Sequence, residues 1–212
     1  MSLDSLLTVE ARLRERLARP LPGSDAQRRF APHPPREGWA PELQPAEARR
    51  AAALVLLFPG RTGPSLPLTL RHADLPHHPG QVSLPGGAID PGESPRAAAL
   101  REAEEEIGVP ADRVRLLGPL STLWIWVSNF VVHPFVGIAD ATPDFRVHPK
   151  EVSALIEVPL TDLCNPANVR WATRERQGVE VEFPYFALAG TQVWGATAMI
   201  LGEFVELFEP AP

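Results

Sequence analysis

Cysteine is nearly absent from this chain of 212 residues. Cys164 is the only one, which excludes a disulfide within the chain and fits a reducing compartment. We expect a small, buried side chain there, because no activating neighbour is visible in the sequence. The N-terminus also lacks an apolar run long enough for a signal peptide or a membrane span. The sequence therefore predicts a cytoplasmic protein that does not bind membranes.

Basic residues are outnumbered by acidic ones, and the formal net charge is −6. This argues against nucleic acid as a partner, because neutralising a phosphate backbone requires a basic surface. Hydrophobic residues make up 44% of the chain, which is enough for one domain with a sizeable core. The composition does not distinguish a monomer from a homodimer.

Proline marks off an N-terminal segment, residues 1–47, from the main domain, residues 48–212. Leucines within residues 3–18 recur at helical spacing and predict an amphipathic helix that packs on the domain. Prolines then recur over residues 19–45, where we expect an extended connector without an ordered helix or sheet, either lying over the surface of the domain or partly mobile and trailing from it.

The main domain alternates short apolar runs with helical patterns and is predicted to be of the α/β class. We expect a mixed sheet with helices on both faces. Thr161 is a predicted cap of a helical turn over residues 159–163. Strands are predicted at residues 51–58, 66–71, 114–123, 125–137 and 151–158, a hairpin at residues 169–172 and 179–186, and a closing helix at residues 199–208.

Residues 86–109 contain a glycine turn, an acidic loop and a helix with well-marked ends. Ser94 is a favourable N-cap, Pro95 occupies the first helical position, and Gly108 can end the helix in a left-handed conformation. Gly86 and Gly87 leave room for the backbone to approach a ligand, and the nearby helix N-terminus favours a phosphate.

Three glutamates of this helix, Glu102, Glu105 and Glu106, lie within about 60° of Glu102 around the axis. A separate apolar face is formed by Leu100, Ala103 and Ile107. Carboxylates so closely spaced destabilise a helix unless a cation lies among them, and a hard cation such as Mg²⁺ suits them. The alternative is an ordinary solvent-facing helix, with Arg101 paired to Glu105.

The spacing across this stretch resembles the Nudix box of the Nudix hydrolase family. The fixed residues are Gly87, then Glu93 after five residues, Arg101-Glu102-Ala103 after seven more, Glu105-Glu106 after one, and Gly108-Val109 after another. The resemblance implies the Nudix fold, an α/β/α sandwich, and hydrolysis of a nucleoside diphosphate linked to another group.

In that family the glutamates matching Glu102, Glu105 and Glu106 bind Mg²⁺ or Mn²⁺ and, in some members, supply the base that activates water. Glu93 and Arg101 match positions that brace the loop against the helix. The resemblance thus implies a catalytic group of Glu105, Glu102, Arg101 and Glu93.

The residues before the box resemble the signature of the coenzyme A diphosphatases, LT-x-R-S-x-x-L-R-x-H-x-G-Q-V-S-F-P-G-G. The residues that agree are Leu68, Thr69, Arg71, Leu75, His78, Gly80, Gln81, Val82, Ser83, Pro85, Gly86 and Gly87. This implies coenzyme A as substrate, 3',5'-ADP and 4'-phosphopantetheine as products, and substrate contacts from Arg71, His78, Ser83, Gly86 and Gly87.

Three positions depart from that signature: His72, Pro76 and Leu84. Pro76 stands where arginine is usual, and a guanidinium is well suited to clamp a phosphate. Two alternatives therefore stay open. One is a Nudix enzyme for another nucleotide, such as ADP-ribose, a dinucleotide or a nucleoside triphosphate; the other is a nucleotide-binding module without catalysis.

Other side chains leave a choice between structure and function. Trp124, Trp126 and Phe130 are predicted core aromatics, one of which could instead stack on adenine. Glu151 lies near the start of a predicted strand, where it could serve as a base or an extra metal ligand. The alternative is a salt-bridged carboxylate at the surface.

Overall fold

The computed structural model of the protein describes residues 3, 5–74, 80–176 and 178–209. The helices in these ranges are α1 (Leu6–Leu17), α2 (Gly23–Arg28), α3 (Pro95–Ile107), α4 (Leu160–Leu163) and α5 (Gly195–Glu206). The strands are β1 (Arg49–Gly60), β2 (Gly63–Arg71), β3 (Val82–Ser83), β4 (Gly86–Ala88), β5 (Arg115–Pro119), β6 (Leu123–Ile125), β7 (Phe130–Ile138), β8 (Val152–Pro159), β9 (Val169–Arg176), β10 (Val179–Leu188) and β11 (Thr191–Val193).

β1 lies at the centre of the main sheet. The strand order is β3-β2-β1-β7-β5, and β4 also pairs with β1, β6 with β7, and β8 with β2. β1 and β7 run parallel, from Arg49 opposite Phe130 to Leu57 opposite Ile138. The other pairs of this sheet are antiparallel, so the sheet is mixed, as predicted.

The two faces of β1 pack against different helices, because successive side chains of a strand point to opposite sides. One set, Ala53, Val55 and Leu57, joins a buried cluster with residues of α1 and α5. The other set, Ala52, Leu54, Leu56 and Phe58, packs against the apolar face of α3. Helices therefore cover both faces of the sheet, and the predicted α/β/α sandwich is confirmed.

A second sheet of three strands covers part of α5. β10 pairs with both β9 and β11, and the predicted hairpin is confirmed, with Gly178 in its turn at a φ of 77°. Phe186 and Val193 of this sheet are buried in the same cluster as α5. β11 was not predicted, because three residues are too few to show an alternating pattern.

The proline-rich connector contains a helix, which corrects the prediction for residues 19–45. α2 is short and free of proline, and Pro22 precedes it, where its ring does not interrupt the helix. Gln27 fixes α2 to the domain, since its Nε2 donates to Glu203 of α5 at 2.9 Å. This contact spans 176 residues and has no local signal.

Other element boundaries also differ from the predictions. Residues 114–137 form three strands and not two, because strand structure is interrupted twice, at residues 120–122 and by a turn over residues 126–129 in which Asn129 has a φ of 51°. The closing helix begins at Gly195 and not at residue 199. Thr161 lies inside α4, whose N-cap is Pro159 without a side-chain hydrogen bond, so the predicted threonine cap is wrong.

Cys164 is partly buried, and burial raises the pKa of its thiol to about 12.

Throughout the described ranges, no helix combines the length and apolar character needed to cross a membrane.

Candidate active site

α3 is specified by the local residues predicted to begin and end it. The Ser94 hydroxyl accepts a hydrogen bond from the Ala97 amide at 3.2 Å, and Pro95 is the first helical residue. Gly108 ends the helix with a φ of 71°. A residue with a side chain would be strained there, which explains the glycine.

Arg101 is the hub of the acidic side of α3. Its Nε and Nη2 donate to the two carboxylate oxygens of Glu93 at 2.9 and 3.0 Å. Nη2 also donates to the carbonyl of Ala88 at 2.9 Å, while Nη1 donates to both Glu102 and Glu105 at 2.8 and 2.9 Å. One guanidinium thus ties the acidic loop and strand β4 to the helix.

The contacts of Arg101 shift the pKa values of Arg101 itself and of the glutamates that it binds. Hydrogen bonds from Arg101 are the main reason that the pKa of Glu93 lies below its ordinary value. The pKa of Arg101 is raised in turn, chiefly by Glu93. Burial raises the pKa of Glu102, and the contact with Arg101 offsets part of that increase.

Glu106 is the buried member of the three predicted metal ligands, with 2% of its surface exposed. Its Oε2 accepts a hydrogen bond from the Gly86 amide at 3.1 Å, and Arg71 Nη1 lies 3.6 Å from Oε1. Burial raises the pKa of Glu106 to about 7; Gly86 and Arg71 oppose this, and the nearby charges of Glu102 and Glu151 add to it. Such a carboxylate is suited to a cation.

Gly87 is required by the position of Glu102. A Cβ at residue 87 would lie 2.5 Å from the Glu102 carboxylate, which is closer than van der Waals contact permits. The missing side chain therefore leaves the space that this carboxylate fills beside β4.

Glu105 differs from its two partners, because its side chain is 57% exposed and contacts Arg101. In the part of the chain that the structure describes, no three histidine, cysteine, aspartate or glutamate side chains are already gathered at metal-binding separation. The donor set nevertheless fits a hard cation: the donors are carboxylate oxygens, and the charge of buried Glu106 is met by one amide hydrogen bond and a guanidinium beyond hydrogen-bond distance.

The predicted substrate contacts lie on neighbouring strands. Arg71 ends β2, Ser83 belongs to β3, and Gly86 and Gly87 begin β4. The Ser83 hydroxyl is 2.9 Å from that of Thr69, within hydrogen-bond distance. Among the described residues, the buried Nε of Arg71 has no hydrogen-bond partner. His78 and Pro76 lie outside the described residues.

The aromatic residues of the β6 to β7 region divide between core and surface. Trp124 is buried, and its Nε1 donates to Asn129 at 3.2 Å. Trp126 is 39% exposed, with the guanidinium of Arg36 4.3 Å from its ring centre. The guanidinium of Arg49 likewise lies over the ring of Phe130, 4.1 Å from its centre.

A residue that sequence reasoning missed, His148, lies beside the site. Its amide donates to the carbonyl of Glu106 at 2.9 Å, and its Nδ1 is 3.6 Å from the carboxylate of Glu151. The one signal in the sequence that could have pointed to His148 is its position three residues before Glu151.

Comparison with known proteins agrees with this fold and site. Residues 48–177 match the NUDIX domain. A protein of Photorhabdus laumondii, named uncharacterized Nudix hydrolase NudL, is 33% identical over 167 residues, which cover 78% of this chain and 89% of the relative. The protein of the same name from Yersinia enterocolitica is 37% identical over 157 residues, covering 74% and 80%.

A solved structure of a MutT/nudix family protein from Enterococcus faecalis supports the fold alone. It superposes with a TM-score of 0.50 at 16% identity, covering 76% of this chain and 62% of that one.

The domain match and the Nudix hydrolase relatives identify a hydrolase of phosphorus anhydrides. The chain belongs to the Nudix hydrolase family. Enzymes of this family act on small nucleotides and generally use divalent metal ions.

Proposed function

We propose that this Nudix hydrolase is a coenzyme A diphosphatase, which cleaves the diphosphate of coenzyme A with water to give 3',5'-ADP and 4'-phosphopantetheine. The observation that carries the proposal is the proximity of Arg71 to Glu106, with Arg71 Nη1 3.6 Å from Glu106 Oε1. Arg71 belongs to the diphosphatase signature and Glu106 to the Nudix box. The two motifs that carry the resemblance therefore meet at one place.

We assign metal binding to Glu102, Glu105 and Glu106. Mg²⁺ or Mn²⁺, when bound, would neutralise charge on the diphosphate and lower the pKa of a bound water. Glu102 and Glu105 share one nitrogen of Arg101, so a cation has to compete with those two hydrogen bonds. Within the described ranges, no cationic side chain lies within hydrogen-bond distance of Glu106, so we expect this ligand to gain most from a bound cation.

The remaining roles follow from position. Arg71 lies close to Glu106, and its buried Nε has no hydrogen-bond partner in the part of the chain that the structure describes; such a guanidinium is suited to a diphosphate oxygen. Gly86 and Gly87 keep the β4 edge clear of side chains. Glu93 and Arg101 hold the loop and helix together, so they position the glutamates. Ser83 and His78 are assigned to substrate binding from the resemblance.

A panel of substrates tests this proposal. Coenzyme A, dephospho-coenzyme A, ADP-ribose, a diadenosine polyphosphate and a nucleoside triphosphate should be compared by kcat/KM with Mg²⁺ and with Mn²⁺. We expect coenzyme A to be the best substrate and both predicted products to appear in equal amounts. A higher kcat/KM for another nucleotide would assign the enzyme to that substrate, and no hydrolysis of any with Mn²⁺ would indicate a binding module.

The second candidate, a Nudix enzyme for another nucleotide, is favoured by one specific residue. Pro76 replaces the arginine that the signature carries. If that arginine contacts the 3'-phosphate, its loss should weaken the preference for coenzyme A over dephospho-coenzyme A. The ratio of kcat/KM for coenzyme A to kcat/KM for dephospho-coenzyme A measures how much the 3'-phosphate contributes to recognition by this enzyme.

We also propose that residues 1–47 serve the domain of residues 48–212 as a structural cover. Val9 and Leu13 of α1 are fully buried against the main sheet. Gln27 of α2 contacts a buried carboxylate of α5. These contacts of α1 and α2 support a role of the segment in completing one face of the core.

A further inference from the structure

The two faces of the hairpin formed by β9 and β10 carry side chains of opposite charge. Paired residues of antiparallel strands lie on the same face, and successive residues alternate between the faces. Arg170 lies opposite Tyr185, and Arg174 lies opposite Val181. The glutamates of the described part of the hairpin belong to the other face, and they are Glu175, Glu180 and Glu182. We call the side with Arg170 and Arg174 the arginine face.

The guanidinium of Arg174 is stacked on aromatic rings. Its Cζ lies 4.2 Å from the ring centre of Trp194 and 5.2 Å from that of Phe183. The two rings pack against each other with their centres 5.5 Å apart, and Phe183 is buried. Among the described residues, exposed Arg174 has no hydrogen bond or ion pair. A stacked guanidinium keeps its donors in the plane, where they suit a phosphate.

The arginine face lies next to the strand that carries Ser83. Trp194 immediately precedes α5, and Thr197 in the first turn of that helix donates through Oγ1 to the carbonyl of Val82 at 3.3 Å. Val82 and Ser83 form β3, which pairs with β2, the strand that ends in Arg71. The ring under Arg174 is therefore joined to the proposed substrate contacts through β3.

We propose that Arg174, stacked on Trp194, binds the 3'-phosphate at the adenosine end of the substrate. The proposal rests on the proposed function, because it names a contact for one end of coenzyme A. A phosphate monoester carries a charge of about −1.5 to −2 at neutral pH and is the natural partner of an unpaired guanidinium. The pantetheine end carries no such charge, so the arginine face favours the nucleotide end.

This assignment also bears on the departure at Pro76. The signature carries an arginine at that position, and this chain has none there. Arg174 would supply a guanidinium from a different element of the fold. The enzyme would then keep a preference for coenzyme A over dephospho-coenzyme A in spite of Pro76.

Binding of the product 3',5'-ADP tests the proposal without turnover. Isothermal titration calorimetry with Mg²⁺ should compare 3',5'-ADP and 5'-AMP on the wild type, Arg174→Gln and Arg36→Gln. Arg36 is the matched control, because its exposed guanidinium lies 4.3 Å from the ring centre of Trp126. We expect Arg174→Gln to weaken binding of 3',5'-ADP by about tenfold or more and to leave 5'-AMP nearly unaffected. Arg36→Gln should bind both nucleotides as the wild type does.

Three results of this titration would overturn the proposal. They are wild-type affinity for 3',5'-ADP in Arg174→Gln, an equal loss for 5'-AMP, which lacks the 3'-phosphate, and a loss of 3',5'-ADP binding in Arg36→Gln in place of Arg174→Gln. Arg174→Lys keeps the charge without the planar donors, and we expect an intermediate affinity. Circular dichroism confirms the folding of each variant.

Kinetics separate this contact from the choice of substrate. We expect Arg174→Gln to lower kcat/KM for coenzyme A by about tenfold, chiefly through KM, and to lower the preference over dephospho-coenzyme A by the same factor. A merely structural role would lower kcat/KM equally for both substrates and would overturn the proposal. Wild-type turnover of coenzyme A with an unchanged KM in Arg174→Gln would reject this contact alone. Selective loss of 3',5'-ADP binding in Arg174→Gln, without turnover of coenzyme A by the wild type, would reject the substrate alone.

Discussion

The carboxylate of Glu102 occupies the space that a side chain at Gly87 would take, because a Cβ there would lie 2.5 Å from its oxygens. Glu102 is one of the proposed metal ligands, so the absence of a side chain at Gly87 helps to determine where this ligand lies.

Gly87→Ala should displace Glu102 without unfolding the protein. The new Cβ would meet the far end of a flexible side chain, which can swing aside. We expect Mn²⁺ affinity to fall by about tenfold and kcat to fall with it, while the melting temperature changes little. Gly118→Ala is the matched control, because a Cβ there lies at least 3.5 Å from its neighbours. Wild-type Mn²⁺ affinity in Gly87→Ala would contradict this role of Gly87.

Glu106→Gln should lower kcat by orders of magnitude and yet stabilise the metal-free protein at neutral pH. Because the pKa of Glu106 is raised to about 7 from 4.5, the folded state holds a proton that the unfolded state has lost between these values. The wild type therefore loses stability as pH rises from 4.5 to 7, and the amide variant does not. Urea unfolding at pH 4.5, 6 and 7.5 in the presence of a chelator should show the difference widening with pH. A constant difference across this range would contradict the assignment.

Glu10→Gln should reveal a pH-dependent contact between α1 and β5. Arg115 donates to both oxygens of Glu10 at 2.6 and 3.0 Å, and this hydrogen bonding is the main reason that the pKa of Glu10 falls to about 2. The lowered pKa stabilises the fold above pH 4.5, and this is lost as pH falls towards 2. We expect the variant to lose about 1 kcal/mol of unfolding free energy at pH 7 and less at pH 3.

Glu15→Gln is the control for that experiment. Glu15 pairs with Arg19 on the exposed side of the same helix, with about half of each side chain exposed. Its replacement should change the unfolding free energy by less than about 0.5 kcal/mol. Equal effects of the two variants would indicate helix charge and not the contact with β5.

Gln27→Ala should destabilise the protein through the buried carboxylate of Glu203. That carboxylate is fully buried and accepts from Gln27, from the Ser121 amide and from the Gly23 amide. Removing one donor leaves a buried acceptor less satisfied, at a cost of about 1–3 kcal/mol. Gln44→Ala, which removes an exposed contact with Thr122, should cost much less in thermal unfolding. Equal costs would contradict a role for α2 in holding the N-terminal segment.

The parts of the fold that the sequence predicted are those with local causes. Ser94, Pro95 and Gly108 determine the ends of α3 through contacts within a few residues. β1 itself is likewise visible in the sequence, as the apolar run of residues 51–58. The bidentate contact of Arg101 with Glu93 spans eight residues, and the resemblance to the Nudix box implied only that these two residues brace the loop against the helix.

The parts that escaped prediction depend on distant contacts. The burial of Glu106 requires Gly86 and Arg71, which come from two different strands. α2 is fixed by a residue far along the chain, and His148 reaches the site because a loop caps a helix. A pattern of residue types contains no information on such contacts, so a carboxylate predicted to share an acidic face is found buried.

Arg12 of α1 donates to the carbonyls of Leu207 and Glu209, which follow α5, so the first and last helices meet over one face of β1. During synthesis on the ribosome, Val55 and Leu57 emerge long before α5 does. The part of this face that α5 covers stays open until α5 has been translated, and chaperones have an apolar surface to bind until then. The native core therefore cannot be completed before α5 emerges.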